Sequence, residues 1–78
     1  MRIITPYQIL DGNTLWTRDA RGETLEMKTG RGAIGILRGA QALRVWGDLL
    51  AEACIDAGLR EDASVHEINA LLEVRDNA

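Results

Sequence analysis

Two turn signals set the character of the N-terminal part of this chain. Asp11-Gly12-Asn13 and Asp19-Ala20-Arg21-Gly22 supply residues that tolerate positive φ, and they cut the stretch from Arg2 to Lys28 into short extended runs. Residues 7–10, 14–18 and 24–28 are therefore predicted as three antiparallel strands joined by two hairpins. Arg2 to Thr5 is expected to extend the first of them, with Pro6 tolerated if that strand lies at an edge. Thr14-Leu15 and Thr24-Leu25 recur ten residues apart, which is the spacing of a meander and not of a true repeat. Alternation along the strands groups Leu15 and Thr17 with Leu25 and Met27 on one face. It puts Trp16 and Arg18 with Thr24, Glu26 and Lys28 on the other. A sheet of three strands needs cover on its apolar side.

The cover is expected from residues 38–57, where Leu43, Trp46, Leu50, Ala53 and Ala57 recur at helical spacing and Val45 and Leu49 widen the stripe. Gln41, Arg44, Asp48, Glu52 and Asp56 stand opposite. Gly58 offers the left-handed residue that ends a helix, and Leu59 the apolar contact that follows it. Ser64-Val65-His66-Glu67 has the spacing of a capping box. A second helix is predicted over residues 64–74, lined by Val65, Ile68, Leu71 and Leu72 and folded back on the first as an αα-hairpin, with residues 75–78 frayed. Residues 30–37 are a glycine-rich connector or a fourth short strand. The fold class is α+β: an N-terminal antiparallel β-meander of three or four strands under a C-terminal αα-hairpin.

Size and composition narrow the function classes. A chain of 78 residues has room for one domain, spanning 1–78, and buries roughly 60% of the surface it exposes when unfolded. Apolar residues make up 46% and charged ones 27%, the composition of an ordinary globule and not of a disordered segment. Association as a homodimer is one of the few further sources of stability for so small a core. Cys54 is the single cysteine, so no internal disulfide can form, and a packing role in a reduced, cytoplasmic protein is expected. No apolar run approaches the roughly 18 residues of a membrane span. Nothing near Met1 reads as a secretory signal.

No motif carries catalytic or cofactor chemistry. Gly30-Arg31-Gly32-Ala33-Ile34-Gly35 spells a dinucleotide fingerprint, but that fingerprint works inside a parallel βαβ unit, which antiparallel hairpins exclude. His66, the sole histidine, is expected on the surface at the second position of the last helix. The hydroxyls of Thr5, Thr14, Thr17, Thr24, Thr29 and Ser64 have no triad or elbow context. One histidine and one cysteine do not make a zinc site. No enzyme, cofactor or metal is expected.

Charge is the informative property. Net charge is −3, but the first 38 residues hold six basic groups against four acids, and the remainder three arginines against eight acids. Asp48, Glu52 and Asp56 fall four residues apart on one row of the long helix, and Glu61 and Asp62 carry the negative surface into the turn. Such a run is either a solvated face or a strip that docks on a basic surface. Trp16, placed opposite Leu25, is a candidate exposed anchor. Trp46 belongs to the core.

The expected function is that of a small, acidic, non-enzymatic interaction protein. It would act as an inhibitor or adaptor whose Asp48, Glu52, Asp56, Glu61 and Asp62, with Trp16, occlude a basic, nucleic-acid-binding surface of a partner complex, as phage- or plasmid-borne anti-defence proteins of the anti-CRISPR kind do. Direct nucleic-acid binding is disfavoured by Glu67, Glu73 and Asp76 on the second helix. Two alternatives stand beside it. One is a dimeric β-ribbon DNA reader using Arg2, Arg18, Arg21, Lys28 and Arg31, and the other is a structural subunit of a larger assembly.

Overall fold

The computed structural model describes residues 1–77 and has an α+β fold. Five strands, β1 (Arg2–Thr5), β2 (Gln8–Asp11), β3 (Thr14–Arg18), β4 (Thr24–Thr29) and β5 (Ile34–Arg38), are followed by two helices, α1 (Gly39–Asp56) and α2 (Val65–Asp76). The strands form one antiparallel sheet in chain order, each paired with the next through a short turn.

One strand goes beyond the sequence expectation, and one takes up an alternative it left open. Arg2–Thr5 does not extend the first strand; it turns back at Pro6-Tyr7 and pairs with β2 as a strand of its own. Thr5 Oγ1 accepts from the Tyr7 N–H at 3.1 Å, so a threonine side chain closes the turn where Pro6 has no N–H to offer. The ambiguous segment 30–37 divides into a turn and a fifth strand. Thr29 N–H donates to the Ala33 carbonyl at 2.9 Å, and Ile34 to Arg38 continue beside β4. The dinucleotide-like glycines thus lie in an antiparallel hairpin.

Register decides which face is covered. Ile9 stands opposite Trp16, Trp16 opposite Met27, and Arg18 opposite Leu25, which in turn meets Leu37. Opposed residues point to the same side, so Ile9, Trp16, Leu25, Met27 and Leu37 share the face under α1. Leu15 stands opposite Leu10 and Lys28 and so lies on the open face. The sequence grouping of Leu15 with Leu25 is corrected accordingly. Alternation within each strand was sound, but β3 and β4 are paired one residue out of the expected phase, and a one-residue slip exchanges the faces.

The core joins Ile3, Ile9 and Leu25 of the sheet to Ala42, Trp46, Leu49, Ala53 and Cys54 of α1 and to Ile68 and Leu72 of α2. Leu43 and Val65 were expected in the apolar stripes, yet they are 59% and 50% exposed. The buried stripe of α1 runs through Ala42, Trp46, Leu49 and Ala53, with Cys54 beside it. α1 starts directly from β5, with Gly39 at φ 63° making the corner. It crosses the sheet toward β1, where Asp56 meets Met1.

Both helix ends are built as the sequence predicts. Leu59 N–H donates to the Cys54 carbonyl at 2.9 Å and Gly58 N–H to that of Ile55 at 3.0 Å, the paired bonds of a Schellman stop. Ser64 Oγ accepts from the Glu67 N–H at 3.2 Å, and Glu67 reaches back to the Ser64 N–H. α2 lies against β1 and stays helical through Asp76, two residues past the expected end at 74; Ala78 lies outside the described residues.

Candidate functional site

The acidic row expected on the long helix lies on its outer face. Asp48, Glu52 and Asp56 are all exposed, as are Gln41 and Arg44, because the opposite side of α1 carries Ala42, Trp46, Leu49 and Ala53 into the core. Four-residue spacing stacks the three carboxylates about one turn apart, roughly 6 Å along the helix. Glu61 and Asp62 are exposed in the connection between the helices.

These five acids are not equivalent. Asp56 Oδ2 accepts from the Met1 ammonium at 3.0 Å, and that hydrogen bond, with the carboxylate charge behind it, raises the ammonium above its ordinary value. Arg60 spans the corner, with its Nη2 2.9 Å from Glu67 Oε1 and its Nε 3.8 Å from Asp62 Oδ1. Among the described residues no ion pair engages Asp48, Glu52 or Glu61. Arg44, one turn before Asp48, does not reach it within ion-pair distance. The uncompensated part of the negative surface is therefore Asp48 and Glu52 on α1, with Glu61 beyond them.

Trp16 does not occupy the open face. Its ring is half-buried against the core, and among the described residues no group accepts from its indole N–H; the Trp46 indole N–H is buried in the same condition. The basic residues of the strands are divided as well. Arg2 and Lys28 share a row with Leu10 and Leu15 on the open face, whereas Arg18 lies on the covered face. Arg18 donates to the carbonyls of Asp19 at 2.9 Å and Ala20 at 3.0 Å and stands 5.0 Å from the centre of the Tyr7 ring. The five basic groups considered for a β-ribbon do not gather on one surface.

Shallow hollows lie at two places among the described residues. One, of about 280 Å³, is lined by Met1, Arg2, Ile3, Asp56, Ala57, Leu71 and Arg75 where α2 meets β1. The other, of about 460 Å³, opens between the turns at Asn13 and Thr29-Gly30-Arg31. Neither contains a histidine, cysteine or serine. His66 is exposed on α2, and Cys54 is buried, where loss of solvent and then the charge of Glu67 push its thiol above the ordinary range. Among the described residues no three histidine, cysteine, aspartate or glutamate side chains converge closely enough to hold a metal ion, and no helix is long and apolar enough to cross a membrane.

Sequence reasoning missed one surface. The open face of the sheet carries Leu10 and Leu15 in a row that ends at Ile34, which is 63% exposed, with Ile36 beside it at 51%. The alternation Ile34-Gly35-Ile36 was a strand signal, but the glycines around it hid the period. No protein family, curated protein or solved structure matches the chain.

Proposed function

We propose that the chain is a non-enzymatic protein–protein interaction module. It acts as an inhibitor or adaptor that docks the outer face of α1 on a lysine- or arginine-rich surface of a partner and so keeps nucleic acid off that surface. The observation that carries this reading is the position of Asp48 and Glu52. They stand exposed and unpaired, four residues apart, in the C-terminal half of a helix whose last turn has no basic residue. Like charges at that spacing repel. A face kept only for solubility would lose nothing by placing its acids in the first turn, which has none. A cationic partner relieves that repulsion.

Glu61 extends the contact. Asp56 and Asp62, each already facing a cation of their own chain, contribute less. Trp16 is not carried into this reading as an anchor, since its ring packs into the core. A phage- or plasmid-borne inhibitor of a host nucleic-acid-binding complex is the biological setting that the chemistry suits.

The test is affinity capture from the native host with the chain and with its Asp48→Lys/Glu52→Lys variant, after circular dichroism has shown both folded. Capture of a partner that drops about tenfold or more on reversal is the expected outcome. Capture indifferent to those two charges rejects the reading.

A further inference from the structure

The two outer strands of the sheet are treated differently. β1 has a register shift between Ile3 and Thr5, is followed directly by Pro6, and has α2 against it. Irregular register, proline and helical cover all keep a sheet edge from pairing with another chain. β5 has neither the register shift nor the proline, and the helix that meets it, α1, leads straight out of it across the covered face of the sheet. β5 keeps unbroken register beside β4 from Ile34 to Arg38, and it presents two isoleucines more than half exposed.

Two bonds flanking the β4–β5 ladder fix which of its backbone groups point outward. Thr29 donates to Ala33 and Gly39 donates to Glu23, each at 2.9 Å. Bonded and non-bonded pairs alternate along an antiparallel ladder, so residues 33, 35, 37 and 39 turn their N–H and C=O groups toward β4. Those of Ile34, Ile36 and Arg38 face away from the sheet.

We propose that the chain forms a two-fold homodimer in which β5 pairs antiparallel with β5 of a second copy, joining two five-stranded sheets into a continuous one. The register that uses all three outward residues sets Ile36 against Ile36 of the second copy on the axis, and Ile34 against Arg38 on either side. On the open face the two Ile36 side chains meet, and the aliphatic stem of each Arg38 lies over an Ile34. On the covered face Gly35 stands opposite Leu37 of the second copy, small against large, twice. Hydrogen-bond phase and side-chain face match whenever a strand pairs antiparallel with itself about an outward-facing residue. What this sequence adds is the side-chain fit of the same register, Ile36 on Ile36 and Gly35 against Leu37, and that fit favours a second copy as the occupant.

The contact also leaves the acidic row free. α1 runs from the β5 edge toward β1, so Asp48 and Glu52 lie past its midpoint and away from the axis. The dimer is thus independent of the partner-docking reading and presents two copies of that face.

Light scattering and sedimentation equilibrium on the full chain test the proposal, with a mass twice 8.6 kDa expected and dissociation on dilution. Hydrogen exchange locates the interface without any substitution. The amides of Ile34, Ile36 and Arg38 point away from β4, so they should be protected in the dimer and lose that protection on dilution. Ile36→Lys sets like charges against each other on the axis and should give a folded monomer with unchanged circular dichroism. A chain of 8.6 kDa at roughly 1 mM overturns the proposal and leaves the edge to a strand of some other protein. A dimer whose three amides exchange freely, or that survives Ile36→Lys, overturns it as well. None of these readouts involves a basic partner, so the two readings fail separately.

Discussion

Trp16 stands directly across from Met27 in the β3–β4 ladder, and this pairing puts the indole on the same side of the sheet as Leu25 and beneath α1. The ring therefore stabilises the fold even though its N–H goes unpaired. Truncation by Trp16→Ala should cost about 2 kcal/mol, less than for a fully buried ring because the side chain is half-buried. Trp16→Phe keeps most of the packing and deletes the orphaned donor, so it should cost under about 1 kcal/mol. Urea midpoints of the two variants check both values, and a Trp16→Ala protein as stable as the parent would contradict the burial.

Glycine to alanine should change stability in opposite directions at two sites on or beside α1. Gly58 has φ 81° with nothing within 4 Å of where a Cβ would stand, so Gly58→Ala costs only backbone strain, about 1 kcal/mol. Gly47 lies within the helix without a positive φ and has equally open space, so Gly47→Ala should stabilise by roughly 0.5–1 kcal/mol. Thermal unfolding of the pair reads the two signs directly.

Asp19 accepts the Thr24 N–H at 3.0 Å, and that bond, together with a second from the Glu23 N–H and the charge of Arg18, holds its carboxyl below the ordinary aspartate range against the opposing effect of lost solvent. A carboxyl depressed in the folded state stabilises at pH above its unfolded value, and that contribution is lost as pH falls through its folded value. The β3–β4 turn should therefore loosen on the acid side. NMR titration of the Thr24 amide should give a midpoint below that of a free aspartate, and Asp19→Asn should abolish this titration. A midpoint at or above the free value would contradict the bond.

Cys54 should resist thiol reagents in the native protein and react on unfolding, since it is buried and its thiol is pushed toward the protonated form. Rapid native labelling would contradict its place in the core.

Much of the fold could be read from residue chemistry, and what could not has physical reasons. The stop at Gly58 and the box at Ser64 and Glu67 were legible because capping is local: a few adjacent residues determine it. β1 was misjudged because Pro6 looked like a tolerated interruption, whereas Thr5 Oγ1 supplies the turn bond that makes it a reversal. The side on which Trp16 lies depends on how β3 meets β4, a non-local choice that alternation within a strand leaves open. The acidic row on α1 was legible from its spacing alone, but the pairing of Asp56 with Met1, from the opposite end of the chain, was not. The exposed edge at Ile34 and Ile36 was obscured by Gly30, Gly32 and Gly35, whose flexibility left strand and connector both open.

Occlusion is the central claim, and competition tests it most directly. The partner captured through α1 would be loaded with its nucleic acid, and the chain titrated in while bound nucleic acid is followed by gel shift. Displacement with saturating stoichiometry, abolished by Asp48→Lys/Glu52→Lys, is the predicted result. A ternary complex that holds the chain and the nucleic acid together, or displacement that the doubly reversed variant performs equally well, would contradict it.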